Sequence, residues 1–169
     1  MRYVGMRMGA PAAWTPRHWP IVEPGLLMAG IGDVMFVYMG TQSEAVFERH
    51  LRELASAIDA RSDATKVGVI YDIPTPLETD AKRRQRSAQV LDARRDKLSK
   101  TTSGFALVTP STIVRGTLRA VFWLAPPPYE WRVVGTVPEG LGFLSTKLTL
   151  NTPELEASYT RLRATIPAP

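Results

Sequence analysis

The stretch Ser43–Tyr71, SEAVFERHLRELASAIDARSDATKVGVIY, carries two hydrophobic patterns in succession, and their order sets the fold class. Phe47, Leu51, Leu54 and Ile58 recur at i, i+4, i+7 and i+11, so Ser43–Arg61 reads as an amphipathic helix. Lys66–Tyr71 (KVGVIY) then runs apolar without alternation, the pattern of a strand covered on both faces. A helix feeding such a strand belongs to a layered α/β fold built on a mainly parallel sheet.

Reading outward keeps the alternation. Upstream, Gly25–Ile31 and Val34–Met39 are apolar runs separated by Gly32-Asp33, a hairpin signal. Downstream come a helix from about Pro76 to Lys100, a short strand Phe105–Val108 and a helix Ser111–Leu124. Val114, Leu118, Val121 and Phe122 form the inner side of that helix, and Pro126-Pro127-Pro128 end it. A strand Tyr129–Gly135, a helix Val137–Leu148 and a tail helix Pro153–Ala164 complete the order. The expected fold is therefore α/β: a mixed, mainly parallel central sheet with helices largely on one face. It has an N-terminal β-hairpin and an extra C-terminal helix. Residues 1–20, with Pro11, Pro16 and Pro20 and no hydrophobic period, read as a flexible or extended arm whose Trp14 and Trp19 could dock on the body. Residues 21–150 read as the α/β domain and 151–169 as the C-terminal helix and tail.

Helix starts support the same division. Thr41–Glu44, Thr75–Glu78 and Thr136–Glu139 have capping-box spacing, and Thr75, Thr109 and Thr152 precede a proline suited to a first helical turn. Five junctions are expected to open on threonine.

Composition excludes more than it identifies. The 169 residues contain no cysteine and two histidines, so disulfides, a Cys nucleophile, Cys-ligated zinc and a three-His metal site are out of reach within one chain. His50, one position off the apolar helix face, reads as a boundary histidine, and His18 lies in the arm; neither is expected to carry catalysis. No metal, cofactor or enzymatic activity is expected. No apolar run reaches the ~20 residues of a membrane span, and no 7–15-residue apolar stretch follows Arg2 and Arg7. A cytoplasmic protein without membrane contact is the expectation.

The net charge of +5 has one source. Residues 82–100 hold eight Lys and Arg against Asp92 and Asp96, a local +6 that leaves the remainder near neutral. Such a helix face suits an acidic protein surface or phosphates. Residues 72–104 contain no aromatic side chain to stack on bases, which weighs against nucleic acid. The bland reading is a solvated helix with Asp92–Arg95 and Asp96–Lys100 pairs of its own. Arg115 and Arg119, at i and i+4, either grip an anion at the strand ends or line an outer helix face. In the aromatic–proline cluster Trp123–Trp131, packing of Trp123 in the core is the simpler reading.

The layout resembles the STAS-like proteins, the anti-sigma-factor antagonist superfamily. The resemblance spans residues 25–148. It rests on the hairpin ending in Met39-Gly40, the helix opening Thr41-Gln42-Ser43-Glu44, the strand ending in Tyr71-Asp72, the helix KRRQRSAQVLDARR, the segment Ser111–Gly116, and Pro138–Leu144. The resemblance implies a non-enzymatic regulatory module of bacterial signalling that binds a partner protein. It places the working surface at the loop Asp72–Thr79 and the start of the basic helix. Asp72, Thr75, Arg83, Arg84, Arg86 and Arg115 are then the expected partner-binding residues, and an acidic surface is the expected partner. Thr75 and Thr79 are the candidate phosphosites, Thr75 also serving as a helix cap with Glu78. The alternative is a nucleic-acid- or small-ligand-binding domain using the basic helix 82–100.

Overall fold

A computed structural model describes residues 14–74, 81–124 and 126–168, without the side chain of Val121. Thr75 and Thr79, with the capping pair Thr75–Glu78, lie outside the described residues. One six-stranded sheet runs in chain order, β1 (Ile21–Glu23), β2 (Leu26–Ile31), β3 (Val34–Met39), β4 (Val67–Asp72), β5 (Thr102–Val108) and β6 (Trp131–Val134). The first three strands form an antiparallel meander, and β3 through β6 pair in parallel. A two-residue turn joins β2 to β3, with Gly32 at φ 55° supplying the left-handed position that a primed hairpin turn requires. The fold class is the expected one: α/β, mixed and mostly parallel.

The crossovers are α1 (Glu44–Asp59), the pair α2 (Ala81–Asp92) and α3 (Arg95–Thr101), and α4 (Thr112–Leu124). Two further helices, α5 (Val137–Ser145) and α6 (Thr152–Arg163), follow the last strand. Alternation along the strands divides the core in two. Met28, Met35, Val37 and Val69 face α1 and Leu98 of α3, while Leu27, Phe36, Ile70 and Ala106 face α5 and α6. The crossover helices thus share one face, and the last two helices close the other.

Several boundaries shift for physical reasons. The long basic helix breaks at Ala93-Arg94, where the Arg94 guanidinium turns back to the Val90 carbonyl at 3.2 Å and reaches both Asp59 carboxylate oxygens at 2.9 and 2.8 Å. That break tilts α3 so that Leu98 enters the core. Strand β5 begins three residues earlier than its apolar run, its first residues Thr102-Ser103-Gly104 carrying no large apolar side chain, and a Cβ on Gly104 would crowd Leu144 Cδ2 of α5 at 3.0 Å. Helix α1 is capped by Ser43, which accepts from the Val46 amide at 3.3 Å, and not by Thr41. Ser111 accepts from the Val114 amide at 3.3 Å at the start of α4, and Asn151 caps α6. Only Thr136, with Glu139, forms the expected box among the described helices. Thr41 and Thr109 stand two residues before Ser43 and Ser111, and Thr152 is the first residue of α6, one after its cap Asn151. The arm is docked from Trp14 onward, with Trp14 and Trp19 both buried in the α1-side core.

The tail helix is fixed by a buried polar contact. The Tyr159 hydroxyl donates to Asp72 Oδ2 at 2.7 Å, its ring stacks on Phe36 at 4.7 Å, and Arg163 Nε lies 3.3 Å from the same carboxylate oxygen. Burial and the Asp72 charge push the Tyr159 hydroxyl far up, so it stays a donor. Tyr159→Phe is expected to lower the unfolding free energy by about 1–3 kcal/mol, because it strips a buried carboxylate of its neutral donor. Urea denaturation checks this; an unchanged midpoint would show that the contact contributes nothing. No described helix is long and apolar enough to cross a membrane.

Candidate functional site

The basic helix meets the α1-side core through Leu91, which packs against it partly buried. No residue of α2 is buried, and its attachment to α1 is made by charges at the edge of the interface. Arg83 pairs with Glu44 at 3.0 Å, Arg86 with Glu48 at 2.6 Å, and Arg94, just past the helix, with Asp59 at 2.8 Å. Lys97 Nζ donates to the Asp59 carbonyl at 2.9 Å, and the Arg83 guanidinium lies 5.0 Å from the Phe47 ring centroid. The described ion pairs of residues 82–100 therefore run to α1 and the segment after it, not within the basic helix. The acidic surface that this helix suits is supplied by its own chain.

Held at its rim, α2 roofs a cavity of about 710 Å³ between α1, α3, the sheet and the proline turn 126–128. That volume lies inside the ~300–1,000 Å³ typical of small-molecule sites. Its walls are apolar, from Met35, Leu51, Leu54, Val69 and Leu98 among others. The floor is an aromatic group centred on Phe105, which lies 5.5 Å from Tyr71, 5.9 Å from Tyr129 and 6.2 Å from Phe122.

Polar groups interrupt this lining, and burial perturbs His50, Arg61, Tyr71 and Tyr129 among them. His50 is buried and its Nε2 lies 3.3 Å from the Tyr71 hydroxyl, while Nδ1 has no partner among the described residues. Burial lowers its pKa from 6.5 to about 4, so the imidazole is neutral at pH 7. Burial pushes the Tyr71 and Tyr129 hydroxyls up, so both remain protonated donors. Arg61, just beyond α1, is 1% exposed. Its Nη1 donates to Thr102 Oγ1 at 3.3 Å, its Nη2 sits 3.8 Å from Met35 Sδ, and its Nε has no partner among the described residues.

The residues singled out in the sequence are dispersed by the fold. Arg83 and Arg84 line the cavity, with Arg83 also engaged by α1, and Arg86 is tied to Glu48. Asp72 lies on the opposite sheet face, buried and bonded to Tyr159 and Arg163, and cannot meet a partner together with the basic helix. Arg115 turns into its own helix start, donating to the Thr109 and Pro110 carbonyls at 2.9 Å each. Arg119 donates to the Val133 carbonyl at 3.0 Å. Both arginines are spent on backbone carbonyls, which their helical spacing could not reveal. Trp123 is 79% exposed, not packed in the core, because Phe122 takes the inner position against Trp131 at 5.0 Å. His18 bonds Glu53 at 2.7 Å on the far side of α1, and with Trp19 Nε1 it holds that carboxyl below its usual range despite burial.

Arg61, Tyr71, Thr102 and Tyr129 were not legible as a group. One signal does exist. His50, Leu54, Ala57 and Arg61 follow each other at four, three and four residues, so a polar side chain stands at either end of an apolar helical stripe. Among the described residues no cluster of three His, Asp or Glu could hold a metal ion. No protein-family model, curated protein or solved structure matches this chain.

Proposed function

We propose that the protein is a non-enzymatic binding module that takes an apolar small molecule into the cavity beneath α2. The cavity itself carries this reading: about 710 Å³ of mainly apolar space with a few buried polar groups converging on it. Catalysis is disfavoured by the same groups. His50, depressed to about 4, is a weak base with no acid to orient it, and its one bond is to a tyrosine that burial keeps protonated. Helix α2 is suited to act as the movable wall, since exposed ion pairs contribute about 0–1 kcal/mol each and weaken with salt.

Two outcomes test it. A hydrophobic fluorescent probe should bind with one-to-one stoichiometry, and Ser87→Leu, which adds bulk to the cavity lining, should weaken its binding while raising unfolding free energy by about 0.5–2 kcal/mol. Probe binding unaffected by that substitution places the ligand elsewhere. Probe exchange in stopped flow should also quicken as salt rises from about 0.01 to about 1 M, because screening loosens the Arg83–Glu44 and Arg86–Glu48 pairs. Salt-independent exchange would argue that α2 does not gate the cavity.

A second reading, the regulatory protein-binding module implied by the STAS-like layout, is supported by a different surface. Ile113 and Leu124 of α4 are 84% and 76% exposed and fall on one stripe with Thr117 and Ala120, beside the edge strand β6. Large exposed apolar side chains clustered on one helix fit a partner interface. Ile113→Glu with Leu124→Glu should then abolish partner capture without lowering stability. Reversing Arg83, Arg84 and Arg86 would be a poorer test, because it sets new negative charge against Glu44 and Glu48. Retained capture by the α4 variant would reject this surface.

A further inference from the structure

Arg61 is the feature of the cavity that apolar binding alone does not explain. A guanidinium excluded from water is costly unless an anion or a full set of acceptors replaces the solvent. Here the partners are one threonine hydroxyl at 3.3 Å, one thioether sulfur at 3.8 Å and the Trp14 ring at 5.8 Å, none of them charged. Among the described residues no carboxylate pairs with it. The carbonyl end of α1 beside it supplies only the partial negative charge of a helix terminus. Burial lowers Arg61 to about 10, so it is still a cation at neutral pH.

Resting on the reading that the cavity binds a small molecule, we propose that its ligand is an amphipathic carboxylate, the carboxylate received by Arg61 and the apolar body lying along the α1 wall. The polar and apolar parts of the site are arranged for such a molecule. Arg61 stands at the end of α1, whereas Leu54, Leu51 and Phe47 line the cavity successively farther back along that helix. Tyr71 and Tyr129, both protonated and both close enough to Arg61 to interact with its charge, can donate to the second carboxylate oxygen. Of the arginines lining the cavity only Arg61 is buried, Arg83 being half-buried and Arg84 and Arg95 exposed, so the buried end of the site offers one positive charge, which favours a carboxylate over a doubly charged phosphate ester.

Isothermal titration of the full chain with dodecanoate, dodecanol and dodecyl phosphate, below micelle formation, tests the assignment. Dodecanoate should bind the unaltered protein at least about tenfold tighter than dodecanol, as a charge-assisted bidentate bond implies. Arg61→Met should remove that preference while leaving dodecanol affinity within about threefold, and Arg61→Lys should keep part of it, lacking the planar fork. Arg61→Met is expected to fold, since replacing an uncompensated buried ion by an apolar side chain of similar volume is neutral or stabilising. The comparison of three ligands on the unaltered protein stands even without the variants. Equal affinity for dodecanoate and dodecanol, or a preference that survives Arg61→Met, overturns the assignment while the cavity reading remains. Tighter binding of dodecyl phosphate overturns the choice of carboxylate. Failure of all three alkyl compounds to bind defeats the cavity reading and the assignment together.

Discussion

Leu144→Ala is expected to lower the unfolding free energy by about 2–5 kcal/mol, toward the upper half of what buried leucines cost on truncation. Leu144 of α5 is fully buried, and its two methyl groups occupy a socket made by glycines. A Cβ on Gly68 would lie 2.9 Å from Leu144 Cδ1, and one on Gly104 would lie 3.0 Å from Cδ2. These glycines face each other in the β4–β5 ladder, so the missing side chains open one continuous depression. Both strands are interior to the sheet and held by hydrogen bonds on either side, so the backbone cannot settle into the space that truncation leaves. Gly68→Ala in the Leu144→Ala background should restore part of the loss, a coupling that a double-mutant cycle measures. Urea unfolding with an unchanged slope is the readout. A loss under about 1 kcal/mol, or strict additivity of the two substitutions, would show that α5 is not anchored by this socket.

The same pair of glycines shows where the sequence was mute. Fold class followed from segments whose hydrophobic pattern is uninterrupted, the α1 stripe and the β4 run KVGVIY. Strand β5 was only half visible, because Thr102-Ser103-Gly104 gives up apolar side chains so that a helix can approach. The break between α2 and α3 was invisible for a similar reason: Arg94 leaves the helix for a carboxylate on α1, a partner thirty-five residues away in sequence. The basic charge cluster was legible in the sequence but its partners within the chain were not. Charge periodicity showed a cationic face, and only the fold shows that Glu44, Glu48 and Asp59 of α1 answer it and that a cavity of about 710 Å³ lies between the helices. Arg61 escaped notice because a single arginine after a helix is ordinary; its burial without a counter-charge is a property of the assembled core.

Lowering the pH from about 7 to about 4 is expected to remove about 3 kcal/mol of stability through His50 alone. The imidazole titrates at its ordinary 6.5 when the chain is unfolded and at about 4 when buried beside the cavity. Between those values the unfolded chain binds the extra proton and the native protein does not, so stability rises with pH across the window and is lost as pH falls through it. At about 1.36 kcal/mol for each pH unit between the two values, the full difference comes to roughly 3 kcal/mol, reached near pH 4. Among the described residues Tyr71 is the only group bonded to the ring and Phe47 is its neighbour on the helix, while the charged side chains lining the same cavity are Arg61, Arg83, Arg84 and Arg95 against the single carboxylate of Asp92. Ordinary carboxylates also begin to lose charge as the pH approaches about 4, so the measurement is a difference: urea midpoints of the unaltered protein and of His50→Leu, taken from pH 7 to pH 4. The variant should be flatter between pH 6.5 and 4 by about the same 3 kcal/mol, whatever its stability at pH 7. Parallel curves would mean that His50 is hydrated or acid-paired in solution, and that the α1 end of the cavity is wetter than its lining implies.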